Sequence, residues 1–200
     1  ERRRMAVARD AGAAGIRAQI QTCLDELLRA HAVTAIGVGF GGPLNVQTGR
    51  IAASHQIDGW NDFDLLGWLT SIARVPVAID NDANAGALAE ALRGAGRGYS
   101  PVFYTTLGSG MGGGLVVNGA VYHGAPPGEA EIGLMPFGHE GVNCESRCCG
   151  WATDRAVAAY AAAHPHSPLA QLSAGHATGQ ARFLVRAIEA GDAGAAALLD

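Results

Sequence analysis

Four stretches of the chain hold residue types that could do chemistry. The first is Asp80-Asn81-Asp82-Ala83-Asn84, where an apolar strand pattern gives way to a helical one. In the commoner case Asp82 or Asn81 is a helix N-cap, accepting the orphan N–H groups of the first turn. The chemical reading is a carboxylate at a helix N-terminus, where the helix dipole stabilises negative charge. Within hydrogen-bond reach of a hydroxyl, it can take the proton as that hydroxyl attacks an electrophile. Asn81 is suited to hold a neighbouring hydroxyl. The second stretch runs from Thr105 to Gly114 and satisfies G-x-G-x-x-G through Gly108, Gly110 and Gly113. A dinucleotide fingerprint needs a helix next, whereas a strand pattern and an Asn-Gly pair follow here, and no GK[ST] makes it a P-loop. Two readings remain. One is a tight, closely packed turn. The other is a row of backbone N–H groups aimed at an anion, with Thr and Ser hydroxyls as extra donors.

The third stretch, Gly128-Glu129-Ala130-Glu131-Ile132-Gly133, is either a solvated acidic turn or a source of carboxylates for ligand hydroxyls such as those of a sugar. The fourth combines Cys144, Cys148 and Cys149 with His139. A zinc site wants four ligands at spacings such as C-x₂₋₄-C, and adjacent cysteines rarely share one tetrahedral ion. Buried apolar thiols are the favoured reading. His164 and His166 flank a proline and read as loop residues, and the isolated His31, His55, His123 and His176 read as ordinary.

These groups need elements to hold them. Residues 6–31 carry Ile16, Ile20, Cys23, Leu24, Leu27 and Leu28 on one face, which predicts a helix. A buried strand is predicted over 33–40, stopped by Gly-Gly-Pro at 41–43. A helix is predicted over 60–73, capped by Asn61 or Asp62. A strand over 75–79 and a helix over 83–93, ended by Gly94, follow. Beyond 94–100 the grammar changes to three strands at 101–107, 114–118 and 120–123. Asn118-Gly119 between the last two is a strong hairpin signal. From 150 the chain is Ala-rich and helical, broken at 164–168. The segment 94–100 divides it into an N-terminal lobe, 1–97, and a C-terminal lobe, 98–200.

Composition limits the partners. The chain has 200 residues, enough for one large domain or two small ones, and no run of about 18 apolar residues that would span a membrane. Its net charge is −4, it carries no lysine and it shows no basic stripe, which excludes nucleic acid as a partner of this stretch. Four cysteines with two adjacent do not form a disulfide framework. A reducing, cytoplasmic setting is expected.

Together the stretches IGVGFGGPLNVQTGRI (36–51), GW (59–60), PVAIDNDANAGALAE (76–90), GAGRG (94–98), TLGSGMGGGLVVNGAVYHGA (106–125) and GEAEIG (128–133) resemble, in order and rough spacing, the ROK family of sugar kinases and repressors. That family belongs to the actin-like ATPase superfamily. The resemblance covers about residues 33–150. It implies an α/β, two-lobe actin-like ATPase (ribonuclease H-like) fold, with the active site in the cleft between the lobes. It implies an ATP- and Mg²⁺-dependent kinase that phosphorylates a hexose or amino-hexose. Asp82 matches the catalytic base. Gly42, Asn81, Glu131 and Glu145 match sugar-contacting positions, while Thr106, Gly108, Ser109 and Gly110 match the second phosphate loop.

Two departures stand out. Leu134 occupies the histidine position of the family's E-x-G-H motif, and PFGHEGVN (136–143) lacks the usual cysteine run. No structural zinc is therefore expected. The family's D-x-G-G-T loop is absent, and so are its closing helices, so the chain is expected to be a central fragment, inactive alone. A homodimer is expected from the family. The resemblance leaves two alternatives: a sugar-sensing repressor, whose helix-turn-helix module would bind nucleic acid upstream of this stretch, or a degenerate sugar-binding protein.

Overall fold

The computed structural model describes residues 2–7, 9–52, 57–124, 130–136, 138 and 141–199. The first helix, α1 (Gly12–Ala30), follows a 3-10 turn at Arg9–Ala11. It starts later than its apolar pattern suggests, because Gly12 sits at φ +59° and breaks the helix there. Its stripe of Ile16, Ile20 and Leu24 packs on a core of Ala13, Ile51, Trp60, Leu65, Leu69 and Ile79. Trp60 is the pivot of that core, with edge-to-face contacts to Phe40 at 5.8 Å and Phe63 at 5.5 Å.

Strand β1 (Ile36–Phe40) pairs in parallel with β4 (Val77–Asn81), in register from Ile36 opposite Val77 to Phe40 opposite Asn81. Parallel strands need a crossover. Here it contains a small hairpin, β2 (Leu44–Asn45) with β3 (Arg50–Ile51), and helix α2 (Leu65–Ala73). The hairpin turn is set by Asn45, whose Oδ1 accepts from the backbone N–H groups of Gln47 and Thr48, both at 3.0 Å. The cap of α2 is Asp64, which accepts from Gly67 N at 2.8 Å, rather than Asn61 or Asp62. Asp62 instead turns the chain at φ +56° and pairs with Arg50 at 2.7 Å.

β4 runs without a loop into α3 (Asp82–Arg93). The second sheet is antiparallel, β5 (Val102–Leu107), β6 (Met111–Val117) and β7 (Ala120–Val121). Asn118 at φ +51° and Gly119 at φ +79° make the expected two-residue turn between β6 and β7. β6 begins at Met111 and not at residue 114, so the glycine run is strand and not turn. The reason is packing. α3 lies against this strand: a Cβ on Gly114 would stand 2.6 Å from Ala87 Cβ, and one on Gly112 3.1 Å from Ala83 Cβ. On the other face a Cβ on Gly113 would stand 2.4 Å from the Ala130 carbonyl oxygen. The side-chain-free strand lets two segments close on it from both sides. α3 and the sheet share a core of Ala87, Ala91 and Val116.

The remainder is helical: α4 (Cys144–Cys148), α5 (Gly150–Ala163), α6 (Pro168–Ser173), α7 (Leu184–Glu189) and α8 (Ala193–Ala197). They enclose Val157, Leu169, Leu184, Ala187 and Ala195. The break at 164–168 is capped by Ser167, with Pro168 as the first helical residue.

Candidate active site

A cleft of about 440 Å³ opens where the end of β4 meets the second sheet. Leu44, Asn45 and Gln47 of the small hairpin form one wall; Gly113, His123, Ala130 and Glu131 form the other. Asp80, Asn81 and Asn84 lie between them. Three of the polar side chains, Asp80, Asn81 and Asn84, come from one short junction. A parallel strand ending directly in a helix brings Asp80, Asn81 and Asp82 to the strand end, beside the helix N-terminus.

Asn81 is the cap of α3. Its Oδ1 accepts from Ala83 N at 2.9 Å and Asn84 N at 3.4 Å, and its Nδ2 donates to the Gly42 carbonyl at 3.4 Å. Gly42 thus reaches the site through its carbonyl, which steadies the Asn81 amide. The Asp80 carboxylate is occupied. Oδ1 accepts from Asn81 N at 2.7 Å and from Asn84 Nδ2 at 3.0 Å, and Oδ2 meets His123 Nε2 at 2.8 Å. Asp82 differs: Oδ1 accepts from Ala83 N at 2.9 Å, while Oδ2 carries no described partner and lies beside Gly41, 3.2 Å from where a Cβ would stand. Asp82 is exposed and lines an apolar groove between α1 and β1, next to the cleft. A side chain at Gly41 would press on that carboxylate, which accounts for the glycine.

Glu131 is exposed at the start of the 3-10 turn Ile132–Leu134. The turn is pressed against β6 by two glycines: besides Gly113, a Cβ on Gly133 would stand 2.5 Å from the Met111 carbonyl oxygen. Leu134 is exposed. Glu129 and His139 lie outside the described residues.

Residues 108–110 link β5 to β6. Gly108 N donates to the Gly110 carbonyl at 2.9 Å. The first N–H groups of α5, from Gly150 and Trp151, donate to the carbonyls of Gly108 at 2.8 Å and Ser109 at 3.1 Å. The N–H groups of Ser109 and Gly110 have no partner among the described residues. Thr106 lies in β5 opposite Gly112. Glu145 is not brought into the cleft. It stands behind the loop, where its Oε2 accepts from Met111 N at 2.8 Å.

Cys144 and Cys149 are buried, and Cys148 is exposed. Cys149 Sγ caps α5, accepting from Ala152 N at 3.4 Å. Among the described residues no group of three His, Cys, Asp or Glu side chains is placed to hold a metal ion. Among them also, no helix is long and apolar enough to cross a membrane.

Sequence reasoning included Asp80 in a candidate stretch without giving it a role, and read His123 as ordinary; both line the cleft. No local signal pairs positions 43 residues apart, and a single histidine at a strand end looks like any other.

The ROK family model matches residues 1–200. The chain belongs to the ROK family. A glucokinase from Halalkalibacterium halodurans is 39% identical over 146 residues, 69% of this chain and 44% of the relative. A xylose repressor from Bacillus spizizenii is 30% identical over 115 residues, 58% of this chain and 29% of the relative. Among solved structures, a ROK glucokinase from Streptomyces griseus in complex with glucose and AMPPNP superposes with a TM-score of 0.78 at 27% identity. That match covers 96% of this chain and 65% of the other. The fold is therefore that of the ROK sugar kinases, an actin-like ATPase fold, and this ROK chain spans less than two thirds of the length of those relatives.

Proposed function

We propose that the complete gene product is an ATP-dependent sugar kinase acting on a hexose or amino-hexose. The observation that carries the reading is the contrast between the two aspartates at the end of β4. Asp80 has both oxygens engaged, whereas Asp82 keeps Oδ2 open at the N-terminus of α3. In this reading Asp82 accepts the proton of the attacking hydroxyl. Asn81 and Glu131 orient neighbouring hydroxyls, with Gly42 holding the Asn81 amide. The Ser109 and Gly110 N–H groups face the phosphates of MgATP, beside Thr106 and Gly108. Glu145 serves the loop through Met111 N rather than the sugar directly. Phosphoryl transfer is mainly positioning and charge stabilisation, which suits a site built from a tethered loop and a rigid strand–helix junction. The two lobes, 1–97 and 98–200, would close on the sugar, in a cytoplasmic homodimer.

The test is ADP release by the complete gene product with MgATP and a panel of hexoses and hexosamines. Release that depends on sugar, and is lost in Asp82→Asn, supports the kinase. The similarity to the xylose repressor supports a second reading, a sugar sensor. It predicts stabilisation by a sugar with no ADP release, as does a degenerate sugar-binding protein.

A further inference from the structure

One polar contact ties the residues between the cleft walls to the wall that holds His123. Asp80 Oδ2 lies 2.8 Å from His123 Nε2. Asp80 is in β4, just before Asn81 and Asp82, whereas His123 follows β7 and lines the same wall of the cleft as Ala130 and Glu131. Among the described cleft-lining residues it is the one side-chain hydrogen bond that joins the end of β4 to that wall. We propose that His123 is a positioning residue: through Asp80 it tethers the strand end bearing Asn81 and Asp82 to the cleft wall in which His123 stands. The inference rests on the sugar-site reading above.

Two magnitudes support this role over a purely structural one. The His123 side chain is 43% exposed and that of Asp80 21%, and a pair at this exposure adds little to global stability. The backbone of Asp80 is already fixed by the β1–β4 ladder, and its Oδ1 by Asn81 N and Asn84 Nδ2. What His123 adds, beyond the packing of α3 on β6, is a second tether at the cleft end of the junction. A misplacement of about 1 Å at a reacting site costs up to about 10²-fold, so a modest contact has a large lever on sugar binding. The phosphate loop is tethered separately, by α5 and Glu145, so the nucleotide side is independent of it.

The experiment compares parent, His123→Ala and His123→Gln forms of the complete gene product. Gln keeps an N–H donor at about the reach of Nε2. His123→Ala is expected to raise the sugar KM about tenfold, with ATP KM and Tm unchanged, and His123→Gln to recover most of that loss. An unchanged sugar KM in His123→Ala overturns the proposal. So does a Gln variant as impaired as Ala, or a parallel fall in Tm and ATP affinity. If the parent releases no ADP with any sugar, the kinase reading has failed. The proposal is then judged on the sugar concentration needed for half-maximal thermal stabilisation: the same tenfold rise in Ala and recovery in Gln support it, and equal values in all three forms overturn it.

Discussion

Two aspartates flank Asn81, and their surroundings separate their roles. Asp80 meets three described partners through both of its oxygens, leaving it less open to a substrate hydroxyl. Asp82 gives one oxygen to Ala83 N and keeps the other open. Asp82→Asn is therefore expected to lower kcat about 10²–10⁴-fold while sugar-induced thermal stabilisation stays within about twofold of the parent. Loss of stabilisation together with activity would assign Asp82 to binding instead. A third aspartate, Asp192, is structural. It is buried, and it accepts from Tyr160 Oη at 2.7 Å, Leu169 N at 3.0 Å and Ala195 N at 3.0 Å. Burial pushes its pKa up, but these donors together with the Gly194 N–H outweigh that and leave it below the usual carboxylate value. A depressed folded pKa adds stability that is full above the unfolded value of about 3.9 and lost as pH falls through the folded value. Asp192→Ala should cost about 2–3 kcal/mol at neutral pH and flatten the acid limb of the unfolding curve below about pH 4. An unchanged acid limb would remove Asp192 as its source. At this scale Asp82 and Asn81 were legible because strand, cap and helix are contiguous in sequence. His123 and Asp80 were not, since only the tertiary fold brings them together.

At the scale of elements, the glycine run shows how a sequence signal can be seen and misplaced. Gly112 and Gly113 fell outside the strand expected over 114–118, yet the strand they form with Gly114 is what α3 and the Ala130–Ile132 segment pack against. Gly114→Ala would set a methyl 2.6 Å from Ala87 Cβ, and is expected to destabilise by about 1–3 kcal/mol through overpacking, measured by denaturant unfolding. A loss below about 0.5 kcal/mol would mean that α3 moves aside freely. Gly119→Ala, at φ +79°, tests the hairpin and should cost about 1 kcal/mol in the same assay. The Asn-Gly turn, the helix over 83–93 and the strand over 101–107 were readable because local propensity and tertiary packing agree there. The start of α1 was not, because the apolar pattern runs on through Gly12 while the backbone does not. The β2–β3 hairpin was passed over, since two-residue strands leave no alternation to read, although the Asn45 side-chain turn and Gly49 at φ +70° mark it.

At the scale of the whole molecule, α3 joins the β1–β4 pair to the second sheet: its N-terminus continues β4, and its flank is buried on the second sheet. The order of motifs along the chain, strand, junction, glycine loop and acidic turn, made the family legible. The sugar itself was not legible, because the walls of the cleft come from segments far apart in sequence. The central claim is that this cleft serves phosphoryl transfer to a sugar, and the most direct measurement is ADP release by the complete gene product with MgATP and single sugars. The account predicts release with at least one hexose or amino-hexose, none without sugar, and none with that sugar in Asp82→Asn. Release at the same rate without sugar, or full activity in Asp82→Asn, would contradict it.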